Sequence, residues 1–391
     1  MKKRILATLI FTLSSFNSNL YALSFAQTTL FLKGSEVAPQ SISDAKKSLD
    51  TISQENLNDL LREFVKSSRP NRFVGSVGHS KSRQFLIDAI KSSDPDNSGI
   101  LIVDDFKPDV AWAQKLYRDD FEREVVPNFK PSDPKYKVWK DFTDHMVSEF
   151  DQLKGFTGKN IIWEKKGLKK SDDIIVVGAH YDTIAHDKKT LRLKTDVEMP
   201  GADDNGSGVT IALAMIKVLA RMQLPKTVRI VFFDMEEMGF LGSRAFVEKY
   251  QSELKQKKFV GLINLEMLGN DTVTGDTKKK SGNMRAYIRK SEEKGHADDA
   301  KLVNIINSKG TKFTQVTSFE VISNGFNQSD HIHFWEAGLP AVTYSENWED
   351  DFNRERYHTS NDFPEAINFK TLHGSYQFIF GGLLSWYFDI L

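Results

Sequence analysis

The sequence predicts an α/β fold, with a mostly parallel central sheet and helices on both of its faces. Two observations support this prediction. Runs of β-branched and apolar residues have the length of buried strands, and they lie at 174–181, 227–234, 258–265 and 340–344. Between the first two runs, residues 209–222 are apolar on nearly every side, which is typical of a buried helix. Strands that alternate with helices form parallel sheets whose two faces are both covered.

The N-terminal part of the chain is expected to begin with a signal peptide over residues 1–26. A positively charged start is followed by an apolar run, and small residues at Ala22 and Ala26 offer cleavage sites. The apolar run is too short to span a membrane comfortably, so we expect a secreted protein without stable membrane association. Residues 27–55 are polar and show no strong period, and we interpret them as a leader or a pro-segment. The folded catalytic domain is then expected to cover residues 56–391.

Helices are also predicted before the first strand and at the end of the chain. Apolar residues with helical spacing, or stretches bounded by prolines, occur at 57–65, 85–90, 111–124, 136–153 and 371–387. The first four form a helical N-terminal elaboration of the sheet. Residues 271–300 carry runs of like charge and are expected to form a polar, solvated insertion.

Composition limits the chemistry that the 391-residue chain can perform. There is no cysteine, which excludes disulfides, cysteine-ligated zinc and thiol catalysis. The 53 basic residues balance the 53 acidic residues, so we expect no nucleic-acid partner. Any metal ion must therefore be held by histidines and carboxylates.

Side chains with catalytic potential follow the predicted strands. His180 and Asp182 come at the end of the first run, Glu236 and Glu237 follow the second, and Glu266 follows the third. Ligands of α/β sheets bind beyond the carboxyl ends of the strands. We therefore expect these side chains to share one site.

The spacing of these residues fits a metal site with a general base. His180 and Asp182 are two apart on an extended chain, so one can bind a metal while the other orients the imidazole. The two adjacent glutamates cannot face one point in the same way, which favours one ligand and one general base. The glycine-rich turn at 201–208 adds Asp203 and Asp204, and a carboxylate there could bridge two cations.

Five motifs in this order resemble those of the M28 zinc aminopeptidases, and among them the secreted bacterial leucyl aminopeptidases most closely. The motifs are Gly178–Asp182, Pro200–Gly208, Phe233–Ser243, Ser329–His331 and Tyr357–Thr359. The resemblance covers roughly residues 60–390. It implies the zinc-peptidase fold and an exported enzyme that removes apolar, leucine-like residues from the N-termini of peptides. We expect a monomer whose partners are its peptide substrates.

The resemblance also implies two zinc ions per chain and a role for each motif residue. The implied ligands are His180, Asp203, Glu237, Glu266 and His358. Asp203 is implied to bridge the two ions, with His180 and Glu266 at one and Glu237 and His358 at the other. Glu236 is the implied general base, and Asp182 supports the neighbouring histidine.

Two residues depart from the pattern of the family. The secreted members usually carry aspartate where Glu266 stands, and a tyrosine where Phe326 stands. Met267, Phe326 and Tyr357 flank the implied ligands, and we predict that they line an apolar substrate pocket. His186 lies outside every motif and is interpreted as an ordinary polar residue.

Other activities on the same fold are kept as alternatives. A glutaminyl cyclase would use one zinc ion and no hydrolytic water, and the chain resembles such enzymes at 330–332 and 75–78. The intact motifs around 201–208 and 236–243 favour hydrolysis over cyclisation. Glutamate at position 266 is associated with carboxypeptidases, so carboxypeptidase or dipeptidase activity is a further alternative. A catalytically silent binding module would have lost a metal ligand, and none is lost.

Overall fold

The computed structural model describes residues 38–168, 172–271, 283–314 and 319–390. The predicted signal peptide, with both of its cleavage sites, lies outside these residues. Among the residues described, no helix has both the length and the apolar character that crossing a bilayer requires.

An eight-stranded sheet forms the centre of the fold. Its strands are β1 (Ile100–Phe106), β2 (Gly158–Lys165), β3 (Asp173–His180), β4 (Thr227–Phe233), β5 (Lys258–Leu265), β6 (Met284–Tyr287), β7 (Phe319–Ile322) and β8 (Ala341–Ser345). They are arranged in the order β1-β2-β4-β3-β5-β8-β6-β7. The four strands predicted from the sequence are therefore neighbours at the middle of the sheet.

The sheet has a parallel centre and mixed margins. Strands β4, β3, β5 and β8 pair in parallel, which confirms the predicted fold class. On one side β1 and β2 run antiparallel to each other, and β2 is antiparallel to β4. On the other side β6 is antiparallel to β8 and parallel to β7. The strands of the parallel centre all end at one edge, where the predicted site residues follow.

Helices cover both faces of the sheet. They are α1 (Ile42–Leu49), α2 (Gln54–Ser67), α3 (Val77–Ser93), α4 (Val110–Asp120), α5 (Pro134–Glu149), α6 (Gly208–Leu219), α7 (Leu241–Gln256), α8 (His296–Gly310), α9 (Ile332–Glu336) and α10 (Phe369–Tyr387). Every residue of α6 is buried, as its apolar sequence predicts. Helices α1 to α3, α6, α8 and α10 share the larger core, while α7 and α9 pack on the opposite face.

The residues predicted to be a leader fold onto the domain. Ser41 caps α1 by accepting a hydrogen bond from the Asp44 backbone N–H. Ala45, Leu49 and Ile52 are buried in the larger core, which they share with α10. Residues of the stretch 42–55 thus contribute to the folded core, and its interpretation as a leader or pro-segment stays a prediction. Helix α1 is short and mostly polar, so its few buried residues gave no recognisable period.

The predicted polar insertion also contains a buried element. Residues 284–287 form strand β6, in which Met284, Ala286 and Tyr287 are buried. The Arg289 Nε donates to the Asp299 carboxylate at 2.7 Å, and both side chains are buried. Residues 283–289 are thus mostly buried and contradict the predicted solvated insertion, whereas residues 290–294 are exposed as predicted, and residues 272–282 lie outside the described part of the chain. A four-residue strand is too short to stand out within a charged stretch.

Helices α4 and α5 form a helical hairpin that connects β1 with β2. A π-helical turn at Phe121–Val125 ends α4, and a 3-10 turn at Phe150–Gly155 follows α5. Apolar residues of the hairpin pack against Met235, Met238 and Leu241, which follow β4. The hairpin therefore lies beside the edge at which the site residues gather.

Candidate metal centre

The segments that follow β3, β4, β5 and β8 bring two histidines and four carboxylates into one cluster. The centre cluster consists of His180, Asp204, Glu236, Glu237, Glu266 and His358. His180 Nε2 lies 3.2 Å from Asp204 Oδ1 and 3.3 Å from Glu266 Oε1. His358 Nε2 lies 3.2 Å from Asp204 Oδ2 and 2.9 Å from Glu237 Oε2. Each histidine thus faces a different oxygen of the Asp204 carboxylate, and each has one glutamate beside it.

This geometry corrects the prediction for the bridging residue. Asp204, and not Asp203, faces both histidines. The carboxylate of Asp203 turns away and accepts hydrogen bonds from the Gly269 N–H at 2.8 Å and from Asn353 Nδ2 at 3.2 Å. Asp204 has a non-helical backbone, with φ −102° and ψ 97°. Adjacent side chains point apart in such a turn, so only one of the two aspartates can face the cluster.

The two aspartates differ in their pKa as well as in their direction. Burial raises the pKa of Asp203 to about 6. Burial acts in the same direction on Asp204, but hydrogen bonds from His180 and His358 outweigh it and lower its pKa. The aspartate that faces both histidines is therefore the one whose negative charge is stabilised.

Asp182 supports the cluster from behind, at the position that the sequence predicts. Its carboxylate accepts hydrogen bonds from the backbone N–H groups of Glu236 at 3.0 Å and Glu237 at 3.1 Å. The same carboxylate lies 3.5 Å from His180 Nδ1. One side chain therefore orients the histidine and both glutamates.

Arg72 also supports the cluster, a role that no feature of the sequence predicted. The guanidinium is fully buried and donates to the carbonyls of Tyr181 at 2.7 Å, Pro200 at 2.6 Å and Gly201 at 2.8 Å. Burial lowers its pKa to about 10, and Asp204 is the nearest compensating charge. Arg72 thus fixes the turn that carries the bridging aspartate. It lies in a turn-rich stretch before α3, where no motif marks it.

Glu266 is oriented by a residue of the Ser329–His331 motif. Ser329 Oγ donates to Glu266 Oε2 at 2.7 Å, and Asn264 Nδ2 donates to Ser329 Oγ at 2.8 Å. The longer glutamate side chain therefore reaches the cluster with one oxygen facing His180 and the other held by the serine.

The electrostatics of the cluster fit a bound cation. Burial raises the pKa of Glu237 to about 7 and raises that of Glu236 well above its usual range. Burial acts to lower the pKa of His358, but Glu237 and Asp204 raise it to about 10. Within the described residues, His180 Nδ1 and Glu237 Oε1 are buried without a hydrogen-bond partner. Closely packed carboxylates and imidazoles are the ligands that zinc prefers in a cysteine-free protein, so this cluster can hold metal.

Two of the three residues predicted to line a substrate pocket do not line the open cleft at the centre cluster. Met267 is fully buried, and the ring of Phe326 packs against Tyr287 at 5.1 Å and Trp348 at 5.2 Å. Their role in substrate binding stays a prediction. Tyr357 does line the open cleft, and its ring stacks on that of His358 with centroids 3.7 Å apart.

An open cleft of about 1260 Å³ lies above Glu236, Glu237 and His358. His186 lines this cleft as well, and its ring centroid is 5.4 Å from that of His358. Burial lowers the pKa of His186 to about 3, so the imidazole is neutral at physiological pH. The interpretation of His186 as an ordinary polar residue missed this position, since no motif surrounds it.

Known proteins are similar to this chain in sequence and in fold. Aminopeptidase YwaD of Bacillus subtilis is 30% identical over 224 residues, covering 56% of this chain and 43% of the relative. Leucine aminopeptidase 1 of Phaeosphaeria nodorum is 27% identical over 215 residues, covering 51% of this chain and 49% of the relative. The alignments thus span about half the length of these curated relatives.

Three solved structures have the same fold at low sequence identity. LapA aminopeptidase of Legionella pneumophila has a TM-score of 0.59 at 16% identity, covering 93% of this chain and 79% of that chain. A glutaminyl cyclase of Porphyromonas gingivalis has a TM-score of 0.57 at 17% identity, covering 85% of this chain and 98% of that chain. BSAP, a zinc aminopeptidase from Bacillus subtilis, has a TM-score of 0.56 at 18% identity, covering 89% of this chain and 95% of that chain. A sequence profile matches residues 160–381, more than half of the chain, and the protein therefore belongs to Peptidase family M28.

Proposed function

We propose that this protein is an exported, zinc-dependent aminopeptidase that removes single apolar residues from the N-termini of peptides. The observation that carries the proposal is that His180 with Glu266 and His358 with Glu237 both lie against the Asp204 carboxylate, with Glu236 on the lining of an open cleft beside them. Membership of Peptidase family M28 and relatives named aminopeptidases support it. We expect the enzyme to act as a monomer on peptide substrates.

Zinc would be held by the side chains that the centre cluster brings together. His180, Asp204 and Glu266 would hold zinc on one side of the cluster, and Asp204, Glu237 and His358 would hold it on the other. Bound zinc would polarise the scissile carbonyl and lower the pKa of a water molecule. The name of BSAP, a zinc aminopeptidase of the same fold, supports zinc as the metal.

Glu236 is suited to move the proton of the reaction. It lines the cleft, and the Asp182 carboxylate fixes its backbone N–H, so its position is well defined. Burial, together with neighbouring Glu266 and Glu237, raises its pKa and favours a carboxyl that both takes and releases a proton. Glu236 takes the proton of the attacking water and passes it to the amine of the leaving peptide.

The proposal is tested with purified protein, added zinc and three groups of substrates. These are aminoacyl anilides, their N-acetylated forms and peptides with N-terminal glutamine. We expect hydrolysis only where the α-amine is free, a leucyl anilide to be cleaved faster than a glycyl one, and loss of activity on chelation that zinc reverses. Cleavage of an N-acetylated peptide from its C-terminus would identify a carboxypeptidase. Cyclisation of glutamine with about one zinc per chain would identify a glutaminyl cyclase.

Export is tested separately by mass spectrometry of the protein from the medium or periplasm. The mature chain is expected to start after Ala22 or Ala26, or further downstream if a pro-segment is removed. A cytoplasmic enzyme that retains Met1 would contradict this part of the proposal.

A further inference from the structure

The helical hairpin α4–α5 gives the cleft an apolar wall that no sequence motif marks. The hairpin wall consists of Leu116, Tyr117, Phe121, Phe129, Trp139 and Phe142, all of which line the cleft. Trp139 is 40% exposed, so a large apolar side chain faces solvent at this surface. His358 and Glu236, the proposed ligand and general base, line the same cleft as the wall.

The hairpin wall is held in a fixed position relative to Glu236. Gly239 has φ +86°, and a Cβ atom at this position would lie 3.2 Å from the Ala113 Cβ of α4. Helix α4 therefore rests directly on the loop that carries the two glutamates. Arg244 of α7 adds a second link, since its guanidinium lies 2.8 Å from the Asp109 carboxylate and 4.5 Å from the Trp112 ring centroid.

A continuous row of aromatic rings connects this wall to the centre cluster. Trp139 packs against Phe142 with ring centroids 5.7 Å apart, and Phe142 lies 5.4 Å from His186. His186 in turn lies 5.4 Å from His358. The row thus runs from solvent to a proposed zinc ligand, and a substrate at the cluster would lie along it.

A second group of aromatic rings packs together outside the cleft. Phe326 lies 5.2 Å from Trp348, and Trp348 lies 4.5 Å from Phe352, between ring centroids. None of these three residues lines the cleft. Among the described residues, five of the seven Phe, Tyr and Trp side chains that line the cleft belong to the hairpin wall.

We propose that the hairpin wall binds a large apolar or aromatic side chain of the peptide substrate, with Trp139 and Phe142 as specificity-determining residues. This inference rests on the proposed peptidase function. Burial of apolar area against preformed aromatic rings favours binding of such side chains over alanine or glycine. Because the wall is anchored on the glutamate-bearing loop, a side chain bound there also positions the scissile bond beside Glu236.

The test compares Trp139→Ala with a matched control, Val126→Ala. Val126 is also 40% exposed and belongs to the same hairpin, but it does not line the cleft. We expect Trp139→Ala to lower kcat/KM for phenylalanyl anilide about tenfold or more, mainly through KM, and to leave alanyl anilide nearly unchanged. Val126→Ala should behave as the wild type on both substrates, and Trp139→Phe should restore part of the loss.

A second series varies the residue after the scissile bond, using leucyl-phenylalanine and leucyl-alanine. A selective loss on the anilides assigns the wall to the N-terminal side chain, and a selective loss on leucyl-phenylalanine assigns it to the following one. Either result supports the proposal. An equal loss on large and small side chains in both series, or no loss in either, would overturn it while peptidase activity remained.

Calorimetric titration with phenylalaninamide and alaninamide separates this inference from the proposed function. We expect the wild type to bind phenylalaninamide more tightly and Trp139→Ala to cancel the difference. If the protein binds the amides in this way but hydrolyses no peptide, the proposed role of the hairpin wall stands and the proposed peptidase function is refuted. Equal affinity of the wild type for the two amides would refute the proposed role of the hairpin wall.

Discussion

Two loops at the same edge of the sheet each carry a pair of adjacent acidic residues, and the two pairs are used differently. In the aspartate loop, which leads into α6, Asp204 faces the centre cluster while Asp203 faces away. In the glutamate loop, which leads into α7, both Glu236 and Glu237 line the cleft.

The difference lies in the hydrogen bonds that the side chains accept. In both loops the backbone N–H groups of the pair donate to an aspartate outside it, Asp362 in the aspartate loop and Asp182 in the glutamate loop. The Asp203 carboxylate, however, also accepts the Gly269 N–H and so stabilises the fold. A backbone donor aimed at an acidic side chain thus makes that side chain part of the fold and less available to a metal.

The sharpest test of this comparison is a pair of substitutions in the aspartate loop. Asp204→Asn should lose nearly all bound zinc and all measurable activity, because both ligand groups share this carboxylate. Asp203→Asn should keep the metal, with an affinity loss of at most about 10–100-fold, as for residues behind a ligand. Metal content after dialysis and kcat are measured for both variants. The reverse pattern would restore Asp203 to the bridging position.

The glutamate loop is tested by separating its two members. Glu236→Gln should retain zinc and lose about 10²–10⁴-fold in kcat, which is the usual contribution of a general base. Glu237→Gln should instead lose metal, since it removes a partner of His358. If Glu236→Gln emptied the site or left turnover unchanged, the roles within the pair would have to be reassigned.

The supports of the two loops should matter less than the loops themselves. Arg72→Met removes the guanidinium that donates to three buried carbonyls. Asp182→Asn weakens the hydrogen bonds that the backbone of the glutamate loop donates to this side chain. We expect each variant to lose about 10–100-fold in zinc affinity. Thermal unfolding and competition with a chromogenic chelator provide the readouts. An unchanged affinity in Arg72→Met would show that the aspartate loop holds its shape without the guanidinium.

The last prediction concerns the pH dependence of zinc binding. The pKa is raised to about 7 for Glu237 and to about 10 for His358, whereas that of Asp204 is lowered. At neutral pH His358 therefore holds its proton and Glu237 holds its proton in part, so the metal must displace protons and binds more weakly as pH falls. Affinity should drop between pH 8 and pH 6 by about tenfold per pH unit for each displaced proton. Calorimetry in buffers of different ionisation enthalpy counts these protons, and a count of zero would contradict the prediction.

The parallel centre of the fold was predictable from the sequence, and the margins were not. The buried strands β3, β4, β5 and β8 are continuous apolar runs, and α6 is apolar all round. Strand β1 is exposed in part and contains Asp104 and Asp105, so its sequence is similar to that of its charged surroundings. Four-residue strand β6 owes its place to pairing with β8, which is remote in sequence.

The motifs located the centre cluster but could not orient every side chain in it. Asp203 and Asp204 are equivalent in the sequence, and only contacts from Gly269 and Asn353 distinguish them. Arg72 acts through backbone carbonyls, which leave no pattern in the residues that provide them. The hairpin wall was not predicted, because aromatic residues on a helix have the same spacing in the sequence whether they face a core or a cleft.

The spread of the proposed ligands along the chain has a consequence for how the enzyme matures. His180 and His358 lie on segments that meet only when nearly the whole sheet has formed, and closing loops of this length costs entropy. A chain that has not folded therefore presents no assembled zinc site. If the enzyme crosses the membrane unfolded, it arrives without metal and takes up zinc in its destination compartment. Zinc at a thousandfold excess over its Kd would then add about 4 kcal/mol to stability, so scarcity of the ion outside the cell would leave the protein open to proteolysis.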